Sequence, residues 1–246
     1  MKTLLHKVAL VTGGSRGIGA AIVKRLANDG ADVAFTYVSG KHQAEALVAE
    51  INATGRRAIA IAADNNNANA IIAATESTVA QFGKLDILVN NAGIGTFKAF
   101  SDFTLDEYDS LMNINVRATF IAIKAALKHM VSGSRIINIG STNATRMPFE
   151  GGAVYAASKA AVAGLTMALS RDLGPLGITI NNLQPGPVHT DMNPQDGPFA
   201  AMLIPQISLG RYGTTAEVAS LVAYLAGPES GFITGASIDI DGGFKG

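Results

Sequence analysis

Tyr155 and Lys159 stand four positions apart in the stretch YAASK. On a helix this spacing sets a phenol and an ammonium on nearly one face, about 40° apart and about 6 Å along the axis. A free tyrosine ionises near pH ~10 and is a poor acid or base at neutrality. A cation about 4 Å away, at an effective dielectric near 20, is worth about 4 kcal/mol, which brings the phenol close to pH ~7. Two readings are open: a tyrosine tuned by its lysine for proton transfer, or two side chains lying along a packed helix with their polar tips in water.

A second group lies near the start of the chain. The strand-like KVALV (7–11) runs into TGGSRGIG (12–19) and then into a helical pattern. Gly13, Gly17 and Gly19 let the backbone turn sharply and approach a pyrophosphate while the helix N-terminus faces the anion. Between strand and helix this spacing points to a dinucleotide, with Ser15, Arg16 and Ile18 completing the turn; a plain tight turn is the alternative. The Gly-Lys-Ser/Thr ending of a triphosphate loop is missing.

NAD would call for a carboxylate at the end of the second strand, on the ribose hydroxyls. That end reads FTYVSGK, with Tyr37 at the expected position, followed by Ser39 and Lys41. With Arg16 in the turn, two cations and a hydroxyl without a nearby carboxylate suit a 2′-phosphate. NADP(H) is therefore expected in preference to NAD(H), with ordinary solvated charge as the other account of Arg16 and Lys41. After the third strand, Asp64, followed by Asn65, either accepts a bond from an adenine amine or caps a helix. In VNNAG (89–93), Asn90 is placed to hold strand ends together, and Asn91, Ala92 and Gly93 let a cofactor lie against the backbone.

These groups need a frame that gathers them. Val- and Ile-rich runs at 7–11, 32–37, 58–62, 86–90, 135–140, 178–184 and 237–241 alternate with helical patterns near 18–28, 42–54, 67–82, 105–131, 152–174 and 215–227. Strands buried on both faces and separated by helices imply a doubly wound, Rossmann-type α/β fold: a parallel sheet of about seven strands with helices on both faces. At 246 residues and 48% hydrophobic, without a linker or repeat, the chain reads as a single domain over 1–246. The longest irregular stretch, 185–214, holds five prolines and follows a strand, where α/β sheets bind ligands.

Composition removes other classes. Lys+Arg and Asp+Glu balance at 19 each, so no global field draws the chain to nucleic acid or an anionic membrane. With no cysteine there is no disulfide or thiol nucleophile. A Gly-x-Ser-x-Gly elbow is absent, as is His-Glu-x-x-His, and DNNNAN lacks the glycine and terminal glutamate of a calcium loop, so no metal is expected. MKTLLHKVALVTGG reads as a first strand rather than a signal peptide, no apolar run reaches membrane-spanning length, and a cytoplasmic location is expected.

TGGSRGIG, NNAG, NINV, IGS, YAASK and QPGPVHTDM follow one another as in the short-chain dehydrogenase/reductase superfamily, and the resemblance runs nearly the whole chain to ITGASIDIDGG. It is similar to the ketoacyl-reductase-like and carbonyl-reductase branches, and to a bacterial relative that binds cyclic-di-GMP. The resemblance implies that Tyr155 exchanges a proton with the substrate oxygen, that Lys159 lowers its pKa and holds the nicotinamide ribose, and that Ser141 hydrogen-bonds that oxygen. It further implies that Asn115 fixes a helix irregularity and a water, and that Pro185, Gly186, Val188 and Thr190 wrap the nicotinamide. Ser141 precedes Tyr155 by 14 residues, where about 13 is usual in the family, so Thr142 is the alternative hydroxyl.

The activity implied is hydride transfer between NADP(H) and a ketone or secondary alcohol, in a homotetramer built on 105–131, 152–174 and the last strand. Thr142, Met147, Phe149, Val188, Met192, Phe199 and Met202 are the expected substrate contacts, an apolar and adaptable set, with 187–212 as a lid. The contrasting reading is a dinucleotide-binding sensor or scaffold on the same fold.

Overall fold

In the computed structural model, residues 2–246 are described. Seven parallel strands form one sheet in the order β3-β2-β1-β4-β5-β6-β7. They are β1 (Val8–Val11), β2 (Asp32–Tyr37), β3 (Ala58–Ala62), β4 (Ile87–Asn90), β5 (Arg135–Ile139), β6 (Thr179–Pro185) and β7 (Ser237–Ile240). The order reverses direction between β1 and β4, where the crossovers part to opposite faces and leave a crevice at the strand C-termini. The doubly wound fold read from the alternating pattern is the one observed.

Side-chain alternation divides the core in two. In β1, Ala9 and Val11 join the cluster under α1 (Gly17–Asn28), α2 (Lys41–Asn52) and α8 (Thr215–Ala226). Leu10 points the other way, into the cluster under α3 (Ala68–Phe82), α5 (Ala118–Ala126) and α6 (Ala153–Leu173). Leu10 and Val11 are 1% and 0% exposed, and each such burial contributes about 1.5–3 kcal/mol. On the α6 side the apolar packing gives way near the strand ends to a row of amides. Asn90 donates to Asn138 Oδ1 (2.8 Å), Asn138 donates to Thr166 Oγ1 of α6 (2.9 Å), and Asn182 donates to Ser237 Oγ (3.0 Å). Asn90 thus ties strand ends, as its position suggested.

Three elements depart from the sequence pattern. The helix expected over 105–131 is α4 (Leu105–Met112), a π-helical turn (Asn113–Arg117) and then α5. The segment 185–214 is not irregular throughout: α7 (Ala200–Leu203) and a 3-10 turn (Ile204–Gln206) lie within it. Ala200, Leu203, Ile207 and Tyr212 pack there with Phe244 in a small core of their own. Asp64 does not cap α3. Its carboxylate accepts from Asn66 N in a local turn (2.8 Å), and the cap is Asn67, whose Oδ1 accepts from Asn69 N (3.0 Å) and Ala70 N (3.2 Å).

That cap gives one member of the asparagine run a physical role. Asn67→Ala should lower the unfolding free energy by about 1 kcal/mol in urea denaturation. Asn66→Ala, at an exposed position outside the cap, should stay within about 0.5 kcal/mol of the parent. Equal losses at the two positions would remove the cap assignment.

Candidate active site

The glycine turn is shaped from both sides of the crevice. Gly13 (φ +64°) donates to Thr36 Oγ1 of β2 (3.0 Å), and Gly14 N donates to the Thr36 carbonyl (2.9 Å). From β4, the Asn91 amide donates to the carbonyls of Thr12 (3.0 Å) and Gly13 (2.9 Å), while Thr12 Oγ1 accepts from Asn91 N and Ala92 N. A Cβ at Gly13 would lie 3.0 Å from Ala92 Cα, and one at Gly19 would run into the Gly13 carbonyl. Sequence reasoning gave Thr36 no part in this.

The first turn of α1 is free to meet an anion. Its N-cap, Arg16, makes no side-chain cap, and no acidic residue lies in that turn. Ser15 and Ile18 are half-buried and Arg16 is exposed. Thr190, from the far segment, comes to the rim, with its Cγ2 3.7 Å from where a Gly17 Cβ would stand. A backbone cradle, an uncapped helix start and no carboxylate from Tyr37 to Ser39 fit a dinucleotide pyrophosphate and its 2′-phosphate. One premise of that reading needs correction: Lys41 is not without a carboxylate, because Glu45 lies 3.7 Å from its ammonium one turn on. Both are exposed, so the pair is weak and leaves the charge available to a ligand. Asp64 is exposed in its turn and Asn65 is buried behind it.

At the ends of β4 and β5 a second constellation forms around α6. Lys159 is 6% exposed, and its ammonium donates to the Ile139 carbonyl at 2.9 Å. Its nitrogen lies 5.8 Å from the Tyr155 ring centroid and 3.5 Å from where a Cβ on Gly93 would be. The π turn brings Asn115 to the same place. Asn115 Oδ1 accepts from Ile94 N (2.9 Å), and its Nδ2 donates to the Ile94 carbonyl (2.9 Å) and to Ser158 Oγ (3.0 Å). Ser158 Oγ in turn donates to the Tyr155 carbonyl (2.7 Å). Ser158 is the link that residue types alone did not reveal, although it sits inside YAASK.

Ser141 and Thr142 separate cleanly. Ser141 lies near enough to the Tyr155 phenol to favour its ionised form, and its Oγ accepts from Asn143 N (3.1 Å). Thr142 is 1% exposed, with its hydroxyl donating to the Pro185 carbonyl (3.3 Å). That bond ties it to the end of β6. Val188, at 5% exposure, belongs to the main core. Met147 packs on Gly152, Phe149 joins an aromatic cluster beside Tyr155, and Phe199 stacks on Phe149. Met192 and Met202 stand exposed on the 185–214 segment. Gly186 must be a glycine, since a Cβ would lie 2.7 Å from Asp241 Cβ. Arg146 is engaged by neutral partners: its guanidinium donates to the Phe244 carbonyl and to Gln206 Oε1 (3.1 Å) and lies over the Phe244 ring.

The electrostatics differ from the first expectation in which effect dominates. Burial pushes the Tyr155 phenol above its ordinary value, and the nearby Ser141 hydroxyl pulls it partly back. Burial also lowers Lys159 from 10.5 to about 8. For both groups the loss of water outweighs any stabilisation of the charged form by neighbours.

Fold and site together define a pyridine-nucleotide oxidoreductase: a glycine-turn cradle at the switch point of a parallel sheet, with a Ser-Tyr-Lys set across from it. Residues 13–245 match the family described as enoyl-(acyl carrier protein) reductase. The chain is 48% identical, over 99% of each chain, to the cyclic-di-GMP-binding biofilm dispersal mediator protein of Escherichia coli K12. It superposes with a TM-score of 0.98 on a short-chain dehydrogenase/reductase from Serratia marcescens, at 54% identity over 99% of this chain and 100% of that one. A short-chain dehydrogenase from Burkholderia cenocepacia in complex with NADP gives the same TM-score at 52% identity, over 99% and 100% of the two chains. The chain belongs to the short-chain dehydrogenase/reductase superfamily of NAD(P)-dependent oxidoreductases.

Burial of Lys159 has a signature in stability. Below about pH 8 the folded chain bears the cost of a desolvated ammonium, whereas the unfolded lysine stays charged up to 10.5. Unfolding free energy should therefore rise from pH 8 toward 10.5, and a pKa difference of this size corresponds to about 3 kcal/mol. Lys159→Met should be more stable than the parent at pH 7, with the gap narrowing by about 2 kcal/mol between pH 8 and pH ~9.5. Parallel stability profiles in guanidinium titrations would contradict this account of the lysine.

Proposed function

We propose that the protein is an NADP(H)-preferring carbonyl reductase, or an alcohol dehydrogenase in the reverse direction, with Ser141, Tyr155 and Lys159 as its catalytic residues. The observation that carries this reading is the gathering of Ser141 and Tyr155 with the buried Lys159, whose ammonium is held by the Ile139 carbonyl, at the strand ends beside the glycine turn. When bound, NADP(H) supplies or accepts the hydride at its nicotinamide. The glycine turn, the uncapped start of α1 and Thr190 hold the pyrophosphate, while Tyr37, Ser39, Lys41 and Arg16 receive the adenosine 2′-phosphate. Gly93, Pro185 and Gly186 give the nicotinamide end a close backbone surface.

The Ser141 and Tyr155 hydroxyls bind the substrate oxygen. In reduction Tyr155 donates its proton to that oxygen as the carbon receives hydride, and in oxidation the phenolate takes the proton back. A phenol raised by burial keeps its proton at neutral pH, the form that donates in reduction. Lys159 fixes the ribose hydroxyls and stabilises negative charge on the tyrosine oxygen. Asn115 is a positioning residue. Its two amide hydrogens and one lone pair are committed to Ile94 and Ser158, so it holds the start of α6 in register with β4.

The apolar rings of Phe149 and Phe199 suit a small neutral ketone or keto ester. Uncovered apolar side chains at Leu105, Phe120 and Met167, on α4, α5 and α6, and at Phe232 before β7 support a homotetramer built on those elements. A second reading, a cyclic-dinucleotide sensor with little turnover, is favoured by the Escherichia coli relative.

Initial rates of NADPH and NADH oxidation with a panel of ketones decide between the two. Tyr155→Phe should lower kcat by at least about 100-fold while leaving the NADPH dissociation constant unchanged. Retained turnover would remove the proton-transfer role, and no turnover of any ketone by the parent, despite NADPH binding, would favour the sensor. Tyr37→Asp should move the NADH/NADPH ratio of kcat/KM at least about fivefold toward NADH by repelling the 2′-phosphate. An unchanged ratio would place the phosphate pocket elsewhere.

A further inference from the structure

A reductase with this catalytic set could act on many carbonyl compounds, and the rings around Tyr155 narrow the class. Phe97, seven residues beyond the last residue of β4, was not among the residues singled out from the sequence. Its ring centroid lies 5.3 Å from that of Tyr155 at 55°, and 5.5 Å from that of Phe149 in edge-to-face geometry. Phe149 continues to Phe199 in a stacked pair at 6.3 Å and 19°. Four rings therefore run in contact from the phenol to the start of α7. Phe97 and Phe199 nevertheless keep 43% and 49% of their surface uncovered, so apolar ring area remains for a ligand.

Phe97 is also held in place. Gly95 lets the ring fold back over its own loop, since a Cβ there would stand 3.0 Å from Phe97 Cε2 and 3.7 Å from Tyr155 Cδ2. The next residue, Lys98, donates its backbone N–H to the Gly151 carbonyl (3.1 Å), just ahead of α6. Its ammonium pairs with Glu107 in the first turn of α4 and lies 5.2 Å over the Phe103 ring. A ring pinned on both flanks offers a preformed surface rather than one that adapts to each ligand.

We propose that Phe97 is a specificity-determining residue, and that with Phe149 it forms an aromatic wall, continuous with Tyr155, that selects ketones bearing an aryl group next to the carbonyl. This rests on the reductase reading of the site. A flat aryl ring gains edge-to-face and offset contacts that a saturated ring of equal size and similar buried area does not. With the aryl group on the wall, the adjacent carbonyl is brought to the Tyr155 hydroxyl. Phe97 touches the substrate and takes no part in moving the proton.

The test pairs acetophenone with cyclohexyl methyl ketone, which differ in flatness and not in connectivity, and reads kcat/KM for the parent, Phe97→Leu and Phe97→Tyr. Binding of unreactive benzamide and cyclohexanecarboxamide to the NADP-loaded enzyme is followed by ligand-observed NMR. The parent should favour the aryl member by about fivefold in both assays. Phe97→Leu should bring both ratios near one, and Phe97→Tyr should keep them. A parent without aryl preference, or an undiminished preference in Phe97→Leu, overturns the proposal. Turnover of neither ketone, with the amide preference present in the parent and lost in Phe97→Leu, would defeat the reductase reading and leave the wall standing as a ligand site. No turnover together with no amide preference overturns both.

Discussion

The constraint on which the rest of the site depends is the burial of a lysine ammonium at the open end of a parallel sheet. Taking an ammonium out of water costs several kcal/mol unless its protons find acceptors. Here one proton goes to the Ile139 carbonyl, at the point where β5 leaves the sheet. A backbone oxygen is free there because the strand stops. The absence of side-chain bulk at Gly93 leaves room beside the nitrogen, and Ser158 and Asn115 lock the neighbouring turn of α6 to the loop after β4. Strand length, glycine position and the π turn are thus set together. A helix that continued regularly from α4 into α5 would carry Asn115 out of register with Ser158.

Much of this was legible in the chain. Alternating Val/Ile runs and helical periods gave seven strands in the right places, because strands buried on both faces leave a pattern that tertiary context reinforces. The glycine turn and YAASK announced themselves through residue types that are costly to keep without a use. What could not be read was which of several similar groups would take a given partner. Ser141 and Thr142 are chemically near-equivalent and adjacent; a bond from Thr142 to the Pro185 carbonyl, 43 residues away, separates them. Asn65, Asn66 and Asn67 likewise look alike until the first turn of α3 chooses one. Phe97 carried no motif, only an aromatic side chain after a glycine-rich stretch, and its approach to Tyr155 depends on Gly151 and Lys98 meeting through the backbone. The phenol's upward shift was missed for a related reason: a helical spacing fixes angle and rise, but not how much water the fold leaves around a side chain.

The two walls of the crevice are built on different terms. The glycine-turn side is backbone bonded to backbone and to buried amides, a surface of fixed shape suited to a ligand that never varies. The opposite side is a separate small core of Ala200, Leu203, Ile207, Tyr212 and Phe244, joined to the catalytic loop through Arg146. It packs on itself more than on the main sheet. Such a unit can differ in sequence, or shift as a body, without disturbing the sheet that holds Lys159.

One carboxylate ties the loop that carries Phe97 to the helical scaffold. Glu107 completes the capping box of α4, accepting from Thr104 N and Thr104 Oγ1, and the same oxygen receives the Lys98 ammonium beside Phe97. These bonds hold its pKa down at about 2. A helix cap and a pocket rim therefore share a single atom. Inheritance cannot treat them separately: drift at Glu107 reaches the rim as well as the cap, and substitutions at residues 98, 104 and 107 become tolerable in combinations rather than singly. For a lineage diversifying its substrates, that makes a surface helix start, well away from the reacting atoms, one of the places where new preferences can originate.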